Sequence, residues 1–274
     1  MGADSRLLFI VSRVRCTGTF DHVNLRLAKL AHIKQSNRFL NETMHKIDDN
    51  LAKVTARIAQ ATQAAGRSLS SVQLIAVSKT QAPAALQAAY TGGQRRFGEN
   101  YLQEALDKQA QLGHLSDIEW HFIGPIQSNK TRVIAENFDW VHSIDRAKIA
   151  QRLNDQRPAQ LPRLQVCIQL NIDEEDTKSG VNLQDLPVLA QAIQQMPRLH
   201  LRGLMAIPAA SQDSAQQRRA FAQVRAAAEQ LQAEGIELDC LSMGMSGDLE
   251  AAIAEGATMV RVGSDIFGAR AKIQ

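Results

Sequence analysis

"VQLIAVSKTQAP", Val72 to Pro83, holds a strand and the start of a helix within twelve residues. Gln73 to Val77 is apolar and partly β-branched, short enough for a strand buried on both faces, and Pro83 suits the first turn of a helix. Between the two, the strand delivers Lys79 at its carboxyl end. An ammonium there must either escape to solvent or lie at the mouth of a sheet, where α/β proteins keep their chemistry.

The same alternation runs along the rest of the chain. Strand-like runs recur at Gln73 to Ser78, Arg95 to Gly98, Trp120 to Ile123, Trp140 to Ser143, Leu164 to Leu170, Leu201 to Ala206, Leu238 to Ser242 and Met259 to Val262. Helical patterns separate them: Pro83 to Tyr90, Tyr101 to Gln111, Ser128 to Glu136, Arg146 to Asp155, Leu183 to Met196, Ser214 to Glu234 and Asp248 to Glu255. Alternating βα units imply a parallel sheet, and eight imply closure into a single (β/α)8 TIM-type barrel. Residues 44–274 lie near the lower end of the roughly 200 to 400 residues such barrels use, so the barrel consumes the body of the chain. An open doubly wound sheet is the alternative, and its dinucleotide-binding form is weakened by the lack of a GxGxxG turn after the first strand.

An amphipathic helix precedes the barrel. From Met44, Ile47, Leu51, Val54 and Ile58 share one face, and Gly66 is its stop. Residues 1–43 have no sustained period and read as an extension or an upstream start, with a basic transit peptide as the other reading. They hold seven Lys/Arg against three Asp/Glu and so carry the excess behind the net charge of +3. The body is near neutral, which removes the nucleic-acid argument. Cys16, Cys167 and Cys240 are odd in number and widely spaced, offering neither a disulfide framework nor a metal site, and a reducing cytoplasm is the expected compartment. No apolar run reaches the length of a membrane span.

Active sites of barrels sit at the carboxyl ends of strands, and polar groups are expected there and almost nowhere else along the strands. The loop "SMGMSGD" (Ser242 to Asp248) and the Gly263-Ser264 turn follow strands seven and eight, the usual barrel position for a phosphate. Alternation puts Arg261 opposite Val260 and Val262, and puts Ile75, Val77 and Lys79 on one face. If both faces look inward, an amine and a guanidinium share one mouth beside an anion cradle. A lysine beside a second cation loses basicity and can condense with an aldehyde. These components describe a phosphorylated aldehyde cofactor, with pyridoxal 5'-phosphate (PLP) the leading candidate.

The pieces "LIAVSKTQ", "FGENYLQEA", "WHFIGPIQSNK", "GLMAIP" and "LSMGMSGDLEAAIAEGATMVRVGSDIFGAR" resemble the pyridoxal phosphate homeostasis protein family, relatives of the barrel domain of alanine racemases. The resemblance covers essentially Met44 to Arg270. It implies that Lys79 forms the internal aldimine, that Ser242, Ser246, Gly263 and Ser264 hold the phosphate, and that Arg261 faces the pyridine nitrogen. Ser264 is often threonine in relatives, and the hydroxyl is kept. Asn100 and His121 match "GEN" and "HFIG" and would approach the ring or its 3-hydroxyl; for His121, ordinary rim hydrogen bonding is the equal alternative. His142 and Asp145 read as caps of the following helix. "DEEDTKSG" lacks the spacing of an EF-hand loop and reads as solvated surface, and Cys167 and Cys240 read as core.

Two classes of function follow. An enzyme of the racemase type would need a tyrosine opposed to the lysine, usually positioned by a second domain, and this chain has only Tyr90 and Tyr101, both on barrel helices. An arginine opposite the pyridine nitrogen also weakens the ring as an electron sink. The favoured reading is a monomeric PLP-binding protein that holds, buffers or delivers the cofactor to apo-enzymes, without strong catalysis. A Schiff-base aldolase for a phosphorylated sugar would reuse the same lysine and cradle.

Overall fold

The structure, a computed structural model, describes residues 45–173 and 179–268. The readings of residues 1–43, of Cys16 and of most of the acidic loop lie outside the described residues.

Eight parallel strands close in the order β1 to β8. They are β1 Gln73–Val77, β2 Arg96–Glu99, β3 Glu119–Phe122, β4 Trp140–Ile144, β5 Leu164–Leu170, β6 Leu199–Ala206, β7 Cys240–Ser242 and β8 Met259–Val262. Helix α1 spans 45–64. It is followed by α2 Pro83–Thr91, α3 Leu102–Gln111, α4 Thr131–Asn137, α5 Ala147–Gln156, α6 Leu186–Gln194, α7 Ser214–Ala233, α8 Leu249–Ala254 and α9 Ser264–Phe267. This is the (β/α)8 barrel that the alternation predicts.

Two cores result. The larger lies between the strands and the surrounding helices, and it includes Ile47, Leu51, Val54 and Ile58 of α1. A fully buried aliphatic side chain contributes about 1.5–3 kcal/mol, so α1 is held as an integral helix of the barrel. Gly66 ends α1 as expected, with φ +67°. The smaller core fills the barrel lumen with Ile75, Trp140, Cys167, Met205, Cys240 and Met259. Ile75 pairs in register with Arg261, which turns that arginine into the lumen beside it. Gly203 makes the tight spot of the wall: a Cβ there would lie 1.7 Å from the carbonyl oxygen of Cys240.

Among the elements whose bounds depart from the periodicity, two shift through a competing hydrogen bond, and one further short helix closes the described residues. Strand β7 omits Leu238, whose carbonyl accepts from the Gln232 side chain at 2.7 Å. Helix α6 starts at Leu186 because the Asn182 side chain accepts from the backbone N–H of Asp185 at 2.8 Å and holds a turn there. Helix α9 was hidden by its shortness; its single turn closes on the carbonyl of Gly263, reached by the N–H groups of Ile266 and Phe267. Among the described residues no helix is long and apolar enough to cross a membrane.

Candidate functional site

A cavity of about 240 Å³ opens at the carboxyl ends of the strands, lined by Lys79, Asn100, Ser246, Arg261, Gly263 and Ser264. These are six of the eight residues singled out from the sequence. Val77 also lines it, so the inward alternation of Ile75, Val77 and Lys79 holds to the rim.

Lys79 follows β1 on a braced turn. Behind it lies Lys108 of α3, buried, whose Nζ donates to the Ser78 carbonyl at 2.6 Å and to Glu99 Oε1 at 2.7 Å. Ser78 Oγ donates to the same carboxylate oxygen at 2.6 Å. Burial raises the pKa of Glu99, opposed by the charge and hydrogen bond of Lys108. On the other side Thr80 adopts φ +64°, a strained conformation for a β-branched residue. Its N–H donates to Glu104, which also receives a hydrogen bond from Lys108. One buried ammonium thus anchors the backbone both before and after Lys79. Lys108, Glu99 and Glu104 were not singled out in the sequence, although "FGENYLQEALDK" places them at helical spacing from the strand end.

The cradle joins two loops. Ser264 Oγ donates to Ser246 Oγ at 3.1 Å, so two hydroxyls from the loops after β7 and β8 meet at the cavity. Asp248 accepts from the N–H of Met245 at 2.6 Å and sets the first loop. Gly244 must be glycine: φ is +94°, and a Cβ would sit 2.6 Å from that of Ala252. Arg57 of α1 fastens both loops from outside, donating to the carbonyl of Ser246 at 3.1 Å and to Asp265 at 2.6 Å. Nothing in the helical period of α1 distinguishes Arg57 from its other charged residues.

Arg261 forms the buried floor. Its Nη1 donates to the carbonyl and hydroxyl of Ser242, the latter at 2.8 Å, and its Nη2 to the Ala206 carbonyl at 2.9 Å. Burial lowers its pKa to about 10, partly opposed by Asp248, so the guanidinium stays charged at neutral pH.

The remaining two expected site residues lie below this floor. Ser242 is fully buried, and its hydroxyl is held by Arg261 and, at 2.9 Å, by His142 Nδ1. His121 is likewise enclosed, bonded to Glu119 at 2.8 Å and to His142 at 2.9 Å, and neither residue lines the cavity. His142 corrects another expectation: it sits within β4 and caps nothing, while Asp145 pairs with Arg146. The lumen is therefore more polar than expected from the strand ends. Glu119 escaped notice because the apolar run of β3 reads from Trp120, whereas the strand begins one residue earlier. Cys167 and Cys240 are buried thiols in the lumen, as expected.

A phosphorylated, oxygen-rich cofactor fits this lining. The Oδ1 atom of Asn100 is buried and has no hydrogen-bond partner among the described residues, an orphan that a ligand donor would satisfy. Hydroxyls, a fixed guanidinium and one amine supply the donors. Among the described residues no cluster of His, Cys, Asp or Glu could hold a metal ion.

Residues 50–271 match the family model of the alanine racemase N-terminal domain. The chain is 60% identical over 227 residues to the pyridoxal phosphate homeostasis protein of Pseudomonas aeruginosa, covering 83% of this chain and 97% of that one. It is 52% identical over 229 residues to the protein of the same name in Escherichia coli, covering 83% and 98%. The solved structure of PipY from Synechococcus elongatus with PLP bound superposes with a TM-score of 0.72 at 39% identity, covering 81% of this chain and all of that one. Alanine racemase of Corynebacterium glutamicum shares the fold, with a TM-score of 0.63 at 18% identity, and this chain spans 64% of it. The chain belongs to the pyridoxal phosphate homeostasis protein family, built on the barrel of the alanine racemase N-terminal domain.

Proposed function

We propose that this protein binds PLP and serves cofactor homeostasis, holding the cofactor and handing it to apo-enzymes as a cytoplasmic monomer rather than turning over a substrate. The observation that carries this reading is the convergence of Lys79, Arg261 and the Ser246–Ser264 hydroxyl pair on one cavity. When bound, the group supplies an aldehyde that an amine can capture. Lys79 is the amine that the cavity would present to that aldehyde. Ser246, Ser264 and the Gly263-Ser264 backbone would hold the phosphate. Asn100 would approach the ring, and Arg261 would donate to the pyridine nitrogen. Ser242 and His121 then act on the cofactor from beneath, through Arg261.

The relatives named above are described as homeostasis proteins, and PipY is solved with PLP bound. Neither tyrosine lines the cavity: Tyr90 donates to Asp117, and Tyr101 is exposed at the start of α3. The test is borohydride reduction of the PLP-loaded protein followed by peptide mass spectrometry, with a racemisation assay and transfer to an apo-enzyme. The expected results are a pyridoxyl label on Lys79, turnover no greater than that of free PLP, and reactivation of the acceptor. A label mainly on Lys130, or robust turnover dependent on Lys79, would overturn the reading.

A further inference from the structure

An unbroken hydrogen-bonded chain crosses the lumen. From the cavity floor it runs Arg261, Ser242, His142, His121 and Glu119, with links of 2.8, 2.9, 2.9 and 2.8 Å. The three middle residues are fully buried, whereas the side chain of Glu119 is 36% exposed. Glu119 lines a second cavity, of about 570 Å³, at the amino ends of the strands, together with Arg96, Arg202 and Asp239. The chain therefore links the two mouths of the barrel.

Its ends fix the direction of every hydrogen bond. A guanidinium only donates and a carboxylate only accepts. Ser242 Oγ accepts from Arg261 and gives its own proton to His142 Nδ1. His142 must then carry its proton on Nε2, donating to His121 Nδ1, and His121 carries its proton on Nε2, donating to Glu119. Any other placement of the protons leaves a buried donor facing a donor or an acceptor facing an acceptor, unless an imidazole is charged. Burial lowers the pKa of both imidazoles, that of His142 well below the ordinary value with His121 and Arg261 adding to the effect. Burial opposes ionisation of Glu119, but His121 and Arg96 outweigh it and its pKa is lowered. Neutral histidines between an arginine and a carboxylate are the state these surroundings favour.

We propose that Glu119 is a positioning residue for the cofactor site: through His121, His142 and Ser242 it sets the orientation and the electrostatic environment of Arg261, making the opposite mouth of the barrel a control face for whatever Arg261 contacts. The proposal rests on the PLP reading for its ligand and on this structure for its chain. The charged and titratable neighbours are Arg96 and Asp139 around Glu119 and His121, and Asp248, Cys167 and Cys240 around Arg261.

Two measurements test it. In the PLP-free full-length protein, nitrogen-15 NMR of the histidine rings should show His121 and His142 protonated on Nε2. A proton on Nδ1 of His142, or a charged ring at neutral pH, would overturn the chain. In the PLP-loaded protein, the visible absorbance is titrated against pH for the parent, Glu119→Gln and Glu119→Asp. Removing the negative charge disfavours protonation at the cofactor, so Glu119→Gln should lower the apparent pKa by about a few tenths of a unit, the charge acting across the barrel but screened by solvent and by its pairing with Arg96. Glu119→Asp keeps the charge and should titrate like the parent. Superimposable curves for the parent and Glu119→Gln, or an equal shift in Glu119→Asp, would overturn the proposal. Failure of the parent to bind PLP would sink the functional reading instead and leave the NMR measurement to decide the chain.

Discussion

Lys108→Met tests whether the buried ammonium behind Lys79 sets the turn that presents it. The substitution keeps the aliphatic stem and removes the charge, leaving the carboxylate of Glu99, fully buried, with Ser78 Oγ as its remaining donor among the described residues. The Ser78 carbonyl loses a hydrogen bond as well. Breaking a buried ion pair from one side costs about 3–5 kcal/mol, and Glu104, more exposed, adds little because water can replace its partner. The loss should depend on pH. The pKa of Glu99 is already raised by burial, and without Lys108 it rises further because two opposing causes disappear. The folded variant then holds a proton that the unfolded chain releases near its ordinary carboxylate pKa of about 4.3. Stability is therefore greatest below that value and is lost as pH rises through the folded pKa. Urea unfolding of the parent and variant at pH 5 and pH 8 measures this, with the larger deficit expected at pH 8. Replacing the pair together, as Glu99→Leu with Lys108→Met, should recover much of the loss. An unchanged midpoint at pH 8, or the same deficit at both pH values, would refute the reasoning.

Two further outcomes follow from the cradle. Arg57→Ala removes the tie between the loops after β7 and β8; since Arg57 is about one-third exposed, its loss should weaken PLP binding roughly 3- to 10-fold with little change in thermal stability, read by PLP titration and circular dichroism. An unchanged Kd would show that the loops hold each other without α1. Pyridoxal lacking the phosphate should bind at least about tenfold more weakly than PLP, and Ser264→Ala about 2- to 12-fold more weakly, the worth of one neutral hydrogen bond; equal affinity of the two ligands would remove the phosphate assignment.

The barrel was legible because βα alternation is a property of local sequence, and so was the rim, because strand ends follow from strand identity. Lys79, Arg261, Ser246 and the Gly263-Ser264 turn could be found by alternation and position alone. What could not be read were partners distant in the chain. Arg57 meets Ser246 across 189 residues, and His142 meets Ser242 across 100. No local period encodes such meetings; they follow from closure, which brings facing strands of the barrel within reach of one another. His121 and Ser242 show the same limit: both follow from their strands, yet both are fully buried and do not line the cavity, because depth within a lumen depends on the stagger between strands.

The lining also bears on holding against catalysis. Among the described residues of the cavity, the titratable groups are Lys79 and Arg261 alone. Arg261 remains a guanidinium at neutral pH, with a pKa of about 10, and three of its N–H groups are committed to Ser242 and Ala206. A fixed donor facing a pyridine nitrogen would favour the unprotonated ring, which withdraws electrons less well, so such a lining would suit holding the cofactor rather than substrate chemistry on it. Proton removal would also need a second acid or base across the cavity from Lys79, and the lining offers serine, asparagine, glutamine and apolar groups there instead. Ile207 and Met245, both lining the cavity, are exposed at its mouth, so a bound cofactor stays reachable from outside. A grip on the phosphate, one reversible covalent contact and an open mouth are what delivery would require, and the residues suited to each, Ser246 with Ser264, Lys79, and Ile207 with Met245, are brought together from the ends of β1, β6, β7 and β8.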